Sequence, residues 1–497
     1  MLKMLRPCNI VLLVSHMLIV ETANILVVVP TPSLSHQVVF RPLVQRLVER
    51  GHEVTLITTD PIYPKGNGPK GLTEIDLHEL SYALWEKILN TIIDDKLSDT
   101  LSLMTVIFRV LSDIFTEQIR LDAVQNLIRN RSVTFDLLIL EACITPALIF
   151  THIFKAPVIQ MSSFGAIPGN MQTMGSVTHP LLYPTHYHEK LYNLTIRDKI
   201  VELINHVSFD WMLDKREYED HEIIQYILGI DMPSLNELKK NVDMLFLNVH
   251  PIWLDNQPVS PNVISIWGTH KTPEKSLPKD LQSFLDSSVN GVIYFSFGTN
   301  LKTSVIPLEK LQIFVRVLSR LPYDVLWKWD TDELPGRSHN IKISKWFPQS
   351  DLLRHPKMKL FITQGGLQST EEAINGGVPL IGIPMYADQP YNTEKYVHLK
   401  IVSLKKNFTR VSLMSDQPQT PLERAIWWTE YVLRHGGAKH LRAPAANMSW
   451  RKYYELDLLL IIIAGLVVTI LTMVFMFRFS INFLSDYLKN RNKKKAS

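Results

Sequence analysis

Cysteine is nearly absent: the 497 residues contain two. Cys8 falls in an N-terminal stretch that reads as a secretory leader, which leaves Cys143 alone and excludes an intramolecular disulfide from the mature chain. A large apolar core must hold the fold instead, and 46% of the residues are hydrophobic. An excess of one charge is also missing. Fifty-two basic residues face 48 acidic ones for a net charge of +4, too little for the broad basic surface of a nucleic-acid binder. No cysteine–histidine cluster has metal-ligand spacing, so no metal is expected. The histidine-rich stretch "THPLLYPTHYHEK" at 178–190 matches no firm ligand pattern and reads as a polar loop. There is no solenoid repeat, and nothing is of low complexity except a basic tail.

Long apolar runs are few, and the two that stand out lie at the ends. Lys3 and Arg6 precede the run Ile10 to Val20, and the small residues Thr22 and Ala23 follow, the pattern of a signal peptide over 1–23. Residues 458–477 carry no charge and are long enough to cross a bilayer. Arg478 ends that run, and the tail 478–497 carries Lys489, Arg491, Lys493, Lys494 and Lys495. The positive-inside rule then places the tail in the cytosol and residues 24–457 in the lumen or outside the cell, a single-pass type I arrangement. The terminal "KKAS" resembles a dilysine retrieval signal, so the expected location is the endoplasmic reticulum membrane. Four N-x-S/T sequons, at Asn130, Asn193, Asn407 and Asn447, lie on the expected luminal side.

Between the ends, continuous apolar runs such as "NILVVVP", "DLLIL", "VIYFSFG" and "KLFITQGG" alternate with helical stretches. Runs without polar alternation suit strands buried on both faces of a parallel sheet, so the expected class is α/β. Gln37 to Arg50 reads as a helix closed by Gly51, and Pro307 to Arg320 as another. The Pro-rich stretch 251–263 reads as a linker. The expected division is a Rossmann-like domain at 24–250, a second at 264–415, a membrane-proximal helical segment at 416–457, and the anchor at 458–477. Helical insertions interrupt the first domain at about 76–130 and 176–230.

The chemistry gathers in "FITQGGLQSTEEAINGGVPLIGIPMYADQ", residues 361–389. In open α/β sheets, ligands bind beyond the carboxyl ends of the strands. Gln364, Gly365 and Gly366 leave such a strand, and a helix begins near Ser369 and Thr370. Free N–H groups at that helix start favour a phosphate, without a Walker A lysine. Ser369 alone reads as a cap; the whole run reads as an anion cradle. Glu372 is placed to accept from ribose hydroxyls. Asp388 and Gln389, beyond the next strand, suit the hydroxyls of a sugar ring. After the first strand, "TPSLSHQ" places His36 just ahead of the first helix as a candidate general base.

The run 361–389 resembles the signature of the UDP-glycosyltransferase family, with the glycine pair, Ser369, Glu372, Pro379, Pro384, Asp388 and Gln389 at the family's spacing. "VIYFSFGTN" and "ISKWFPQSDLLRHP" are similar to two further family segments. The resemblance covers nearly the whole chain and is strongest to insect members and baculoviral ecdysteroid glucosyltransferases. It implies a GT-B architecture, two Rossmann-like domains facing a cleft, with the acceptor on the first domain and the UDP-sugar on the second. By resemblance, Trp346 stacks on uracil, Gln349 binds the nucleoside side, and Glu372 holds the ribose. Ser296, Gly298, Thr299, Gly366, Gln368 and Ser369 surround the diphosphate, with Gln364 where many members have histidine. Asp388 and Gln389 hold the sugar. His36 is the base, and Glu141 stands where the family has a supporting aspartate; read from the sequence alone, Glu141 is equally a strand-end carboxylate facing water.

The function this implies is transfer of a hexose, glucose by the insect-like resemblance, from a UDP-sugar to a hydroxyl of a small lipophilic acceptor. The configuration inverts, and the setting is detoxification or hormone conjugation. UDP-glucose is a co-substrate, and no cofactor is expected. The alternative is a non-catalytic isoform that binds UDP-sugar or pairs with related enzymes, since only residues 390–414 separate Gln389 from the next helical segment and a helical unit of the second domain looks absent there. Association with itself or with related chains is the remaining partner expectation.

Overall fold

The computed structural model describes residues 22–94, 100–188, 190–271, 273–301, 303, 306–401, 413–414 and 416–496. Most of the expected leader, including Cys8, and the Asn407 sequon lie outside the described residues.

The first sheet is parallel, with seven strands in the order β3-β2-β1-β4-β5-β6-β7. These are β1 (Asn24–Val29), β2 (Glu53–Thr58), β3 (Leu72–Asp76), β4 (Leu137–Glu141), β5 (Val158–Ser162), β6 (Val242–Leu247) and β7 (Val263–Ser265). The β1, β4, β5 and β6 runs are buried almost throughout, as their continuous hydrophobicity requires. Helix α1 (Leu34–Glu49) buries Phe40, Leu43, Val44 and Leu47 against one face, and Gly51, at φ +92°, turns the chain into β2. The helical insertions are α2 (His78–Asp94), α3 (Thr100–Arg120), α4 (Asp122–Arg129) and, after the short α5 (Ile149–Phe154) and α6 (Asn170–Met174), the 33-residue α7 (Ile196–Leu228). Helix α8 (Leu235–Leu238) leads into β6.

The second sheet is also parallel, in the order β10-β9-β8-β11-β12. Its elements run α9 (Lys279–Ser287), β8 (Val292–Ser296), α10 (Leu308–Ser319), β9 (Asp324–Lys328), β10 (Ile341–Ser344), α11 (Gln349–Leu353), β11 (Met358–Thr363), α12 (Leu367–Asn375), β12 (Leu380–Gly382) and α13 (Gln389–His398).

Two boundaries differ from expectation. Strand β7 pairs with β6 through Val263 and Ser265, so the stretch 251–263 precedes the last strand of the first sheet and is not the crossover between domains. That crossover falls at 266–278. Helix α14 (Pro421–His435), expected to be membrane-proximal, returns to the first domain. Its Ala425, Ile426 and Val432 join the core beneath β1 and α1, and Glu430 pairs with Arg50, the residue that caps the end of α1. A capping box, Thr420 with Glu423, starts it, and Gly436 in a left-handed conformation ends it. Among the described residues, β10 and β12 are the two edges of the second sheet.

Residues 444–497 form a separate compact unit. Within it, helix α15 (Leu456–Ala496) is longer than the expected 458–477 segment. Its portion Leu456–Asn490 is long and apolar enough to cross a membrane, with a mean hydropathy of 3.0 in its most apolar 18-residue window.

Candidate active site

Strands β1 and β4 are parallel neighbours, so both end on the same edge of the first sheet. The chain leaving β1 turns through Pro30 to Ser33 into α1, which places His36 inside the first turn of that helix and not ahead of it. Glu141, the last residue of β4, is fully buried. Its Oε1 lies 2.5 Å from His36 Nδ1, and its Oε2 accepts the Thr31 backbone N–H at 3.2 Å. The reading of Glu141 as a solvent-facing carboxylate is therefore excluded. With Nδ1 engaged, Nε2 is the imidazole nitrogen left to take a proton. Phe164 meets the His36 ring edge-on at 5.6 Å.

Asp388, from the second domain, faces the same pair. Burial raises its pKa; a hydrogen bond from Asn392 and the field of His36 oppose that shift. Cys143 sits between these carboxylates, its thiol pushed up by burial, Glu141 and Asp388. The ligand atoms of His36, Glu141 and Cys143 lie within 4.8 Å of one another, but the imidazole–carboxylate hydrogen bond already satisfies two of them. The sequence also contains the Asp-x-Asp triplet Asp330–Thr331–Asp332. Asp330 accepts from Thr303, and Asp332 pairs with Lys345 at 2.7 Å, so the two carboxylates do not converge on a shared ligand.

A cleft with a cavity volume of about 60 Å³ opens beside the dyad, lined on one side by Phe164, His186, His206 and Trp253 and on the other by Asp388 and Tyr391. The stretch 178–190, expected to be a polar loop, supplies part of this wall. Its His186 and His188 are buried, and burial lowers both to about 4, so they are neutral at pH 7. The two domains touch directly: Asn300 donates to Ser33 Oγ at 2.9 Å, and Trp253 Nε1 donates to Asn392 Oδ1 at 3.0 Å.

In the second domain, β8 and β11 are parallel neighbours, and the loops leaving them meet. Gly298 has φ +80°, and a Cβ there would lie 2.0 Å from Gln364 Nε2. Only glycine allows that approach. Among the described residues, Gln364 Oε1 is buried without a hydrogen-bond partner. Ser296 Oγ accepts the Gly298 N–H beneath the loop, while Thr299 is exposed at its tip. Gly366 caps α12. Gln349 Nε2 donates to Ser369 Oγ at 2.9 Å and to Glu372 Oε2 at 2.6 Å, so Ser369 belongs to a side-chain network and is not a cap. Trp346 remains 60% exposed, leaving a ring face available to a base.

Two expected residues point elsewhere. Gln368 donates to the Ser163 carbonyl at 3.0 Å and the Ser35 carbonyl at 3.3 Å, so it bridges to the first domain. Gln389 Oε1 accepts the Met385 and Tyr386 backbone N–H groups at 2.8 and 3.0 Å and holds the loop before α13. Lys328, which carried no motif, ends β9 with its ammonium 4.7 Å above the Trp346 ring and 2.8 Å from the Gly298 carbonyl. Burial lowers its pKa to about 8.

One residue before Glu372, Glu371 is buried beside the crossover, 3.3 Å from Lys271 Nζ and 3.6 Å from His270. Burial outweighs Lys271 and raises the carboxyl from 4.5 to about 8. A raised carboxyl holds its proton more tightly in the folded chain than in the unfolded one. Its contribution to stability is therefore complete below pH 4.5 and is lost as pH rises to about 8. Glu371→Gln flattens that part of the stability profile, leaving the variant more stable than the parent at the alkaline end. Thermal melts across the range check this; parallel profiles would contradict it.

Two parallel α/β domains enclose a cleft, with an imidazole–carboxylate pair on one wall and an anion-loop helix start on the other. This arrangement defines a two-domain glycosyltransferase of GT-B type. A solved structure, that of the glycotransferase of kitacinnamycin, shares the fold with TM-score 0.50 at 18% identity, covering 85% of this chain and all of that one. The chain belongs to the family described as UDP-glucoronosyl and UDP-glucosyl transferase, which matches residues 24–401 and 399–494. It is 33% identical to the ecdysteroid UDP-glucosyltransferase of Spodoptera littoralis nuclear polyhedrosis virus, over 88% of this chain and 93% of that one. It is also 33% identical to the UDP-glycosyltransferase UGT5 of Dactylopius coccus, over 95% of both. The protein is thus an enzyme that transfers a sugar from a UDP-sugar to an acceptor.

Proposed function

We propose that the chain transfers glucose from UDP-glucose to a hydroxyl of a small lipophilic acceptor, with His36 as the base. The observation that carries this reading is the His36 Nδ1–Glu141 Oε1 contact, because it orients the ring and stabilises the imidazolium formed during transfer. Nε2 takes the acceptor's hydroxyl proton, and the oxygen bonds to the anomeric carbon as the bond from that carbon to the diphosphate breaks. UDP leaves, and the configuration inverts in one displacement. Trp346 stacks on uracil, and Glu372, oriented by Gln349, accepts from the ribose hydroxyls. The Gly298 and Gly366 loops, with Ser296, Thr299, Gln364 and Ser369, receive the diphosphate. Asp388 faces the sugar beside the dyad. Gln368 and Gln389 support these elements through their backbone contacts. Glucose is favoured because the similar baculoviral proteins are named glucosyltransferases. The anomeric configuration of the product, read by NMR, tests the displacement: a β-glucoside from UDP-α-glucose is expected, and an α-glucoside overturns it.

Lys328 supplies the positive charge that Gln364 cannot. Its ammonium lies between the Trp346 ring and the Gly298 loop, the two elements assigned to uracil and the diphosphate. Lys328→Met removes a charge-assisted hydrogen bond and raises KM for UDP-glucose ~10-fold, with a smaller change in kcat. Initial-rate kinetics check this; an unchanged KM would place Lys328 outside the donor site.

The remaining setting is proposed as a single-pass endoplasmic reticulum membrane protein with a luminal catalytic part, acting in detoxification or hormone conjugation without a metal or cofactor. Exposed Asn130 and Asn193 suit glycan attachment, and Asn407 and Asn447 complete the set of sequons. The family match divides at 399–401, where residues 390–414 run short, which supports the reading that a unit of the second domain is missing there. The dyad and the donor residues all precede that break.

A further inference from the structure

Helix α7 buries Phe209 on its inward side and exposes a second apolar face over its first half. Ile196, Ile200, Ile204, Val207 and Trp211 recur at spacings of three and four, so they share one face, and each is 54–79% exposed. Val201 and Leu203 widen that face at 45% and 42% exposure. The opposite face carries the polar groups inward. Glu202 is buried with a carboxylate oxygen 3.6 Å from His188 Nε2. His206 Nδ1 meets the Tyr187 hydroxyl at 2.7 Å, and His206 Nε2 lies 3.6 Å from Asp210. A helix on a water-facing surface shows the reverse pattern. Seven large apolar side chains over about four turns exceed the scattered exposure normal for a soluble surface. Among the described residues, none packs over this face.

We infer that the outward face of α7, residues 196–211, lies in the interfacial layer of a lipid bilayer. The inference rests on the proposed anchoring of the chain by α15. Three observations select a bilayer over other apolar partners. The chain carries its own candidate span, Leu456–Asn490, and about a dozen residues join it to the catalytic unit ending at Ala443. Such a tether reaches at most ~40 Å when fully extended. The face is bordered by the cations Arg197 and Lys199 at one end and by Trp211 at the other, the residue types that settle at the headgroup level. The inward face of the same helix lines the acceptor cleft through His206. One helix therefore separates lipid from the cleft, and acceptors that partition into lipid are concentrated beside the cavity that receives them.

The test uses the full chain with Cys8→Ser in phosphatidylcholine–phosphatidylserine vesicles. Cys143 is buried, so a nitroxide label reports introduced cysteines. Labels at Ile204→Cys, at Leu466→Cys in α15 and at exposed Ser132→Cys are compared for collision with oxygen, which favours lipid, and with a water-soluble nickel chelate. The expected result is oxygen-dominated collision at Ile204 and Leu466 and nickel-dominated collision at Ser132. Nickel-dominated collision at Ile204 with a lipid-exposed Leu466 overturns the inference and leaves the anchoring intact. Nickel-dominated collision at Leu466 removes the anchoring, and the inference with it. Shielding of Ile204 from both reagents, with dipolar broadening, assigns the face to a second copy of the chain and overturns the bilayer reading. A second readout is kinetic. Ile204→Asp with Val207→Asp lowers transfer to a membrane-partitioning steroid several-fold and spares transfer to a water-soluble phenol; equal losses for both acceptors contradict the inference.

Discussion

His36→Ala lowers kcat for sugar transfer by ~10²- to 10⁴-fold, the range over which a positioned base contributes. UDP-glucose binding changes little, because His36 lies on the first domain, at the start of α1, and the donor residues lie on the second. The partner carboxylate gives a graded control. Glu141→Gln keeps a hydrogen-bonding side chain of the same length beside Nδ1 and removes the charge that stabilises imidazolium, so kcat falls by less than in His36→Ala. In a double variant the two losses do not add, because Glu141 acts through His36. Single-turnover rates check the order. An active His36→Ala enzyme, or fully additive losses, would show that the pair does not act as a unit.

Glu372→Ala acts on the donor instead. Hydrogen bonds to a charged group contribute ~1.5–3 kcal/mol, so losing the ribose contact weakens UDP-sugar binding ~10- to 100-fold. Burial raises the Glu372 pKa, and the Gln349 hydrogen bond favours the ionised form that accepts from hydroxyls. Removing the carboxylate also frees Gln349, so the Ser369 contact loosens with it. Calorimetric titration with UDP, which contains the ribose and lacks the sugar, isolates the effect. UDP affinity equal to that of the parent would place Glu372 away from the nucleotide.

Much of this site was legible in the sequence because its residues stand at strand exits. Continuous runs such as "ILVVV" and "LLIL" mark buried parallel strands, and parallel strands send their exits to one edge. His36 and Glu141 follow two such strands, and β1 and β4 prove to be neighbours. Ser369 and Glu372 fall within the long signature and Gln349 in the segment before it, and the three come together as one network. What was not legible depends on distant contacts. The three-residue β7 is too short to show a period, and the prolines before it read as a linker. The α14 sequence shows an apolar face without showing that α1 and β1 receive it. Lys328 ends an ordinary strand, and only the loop from β8 and the Trp346 ring beside it make it part of the donor site. The polar inward face of α7 interleaves with outward isoleucines, so the sequence shows a helix and not its orientation.

The central claim is tested most directly by expressing the full chain in microsomes, supplying UDP-glucose with a panel of small phenols and a steroid, and following UDP release and glycoside formation beside His36→Ala. The account predicts a glucoside formed in step with UDP and lost with His36. Glucoside formation that persists in His36→Ala, or UDP release without any glycoside across the panel, would contradict it.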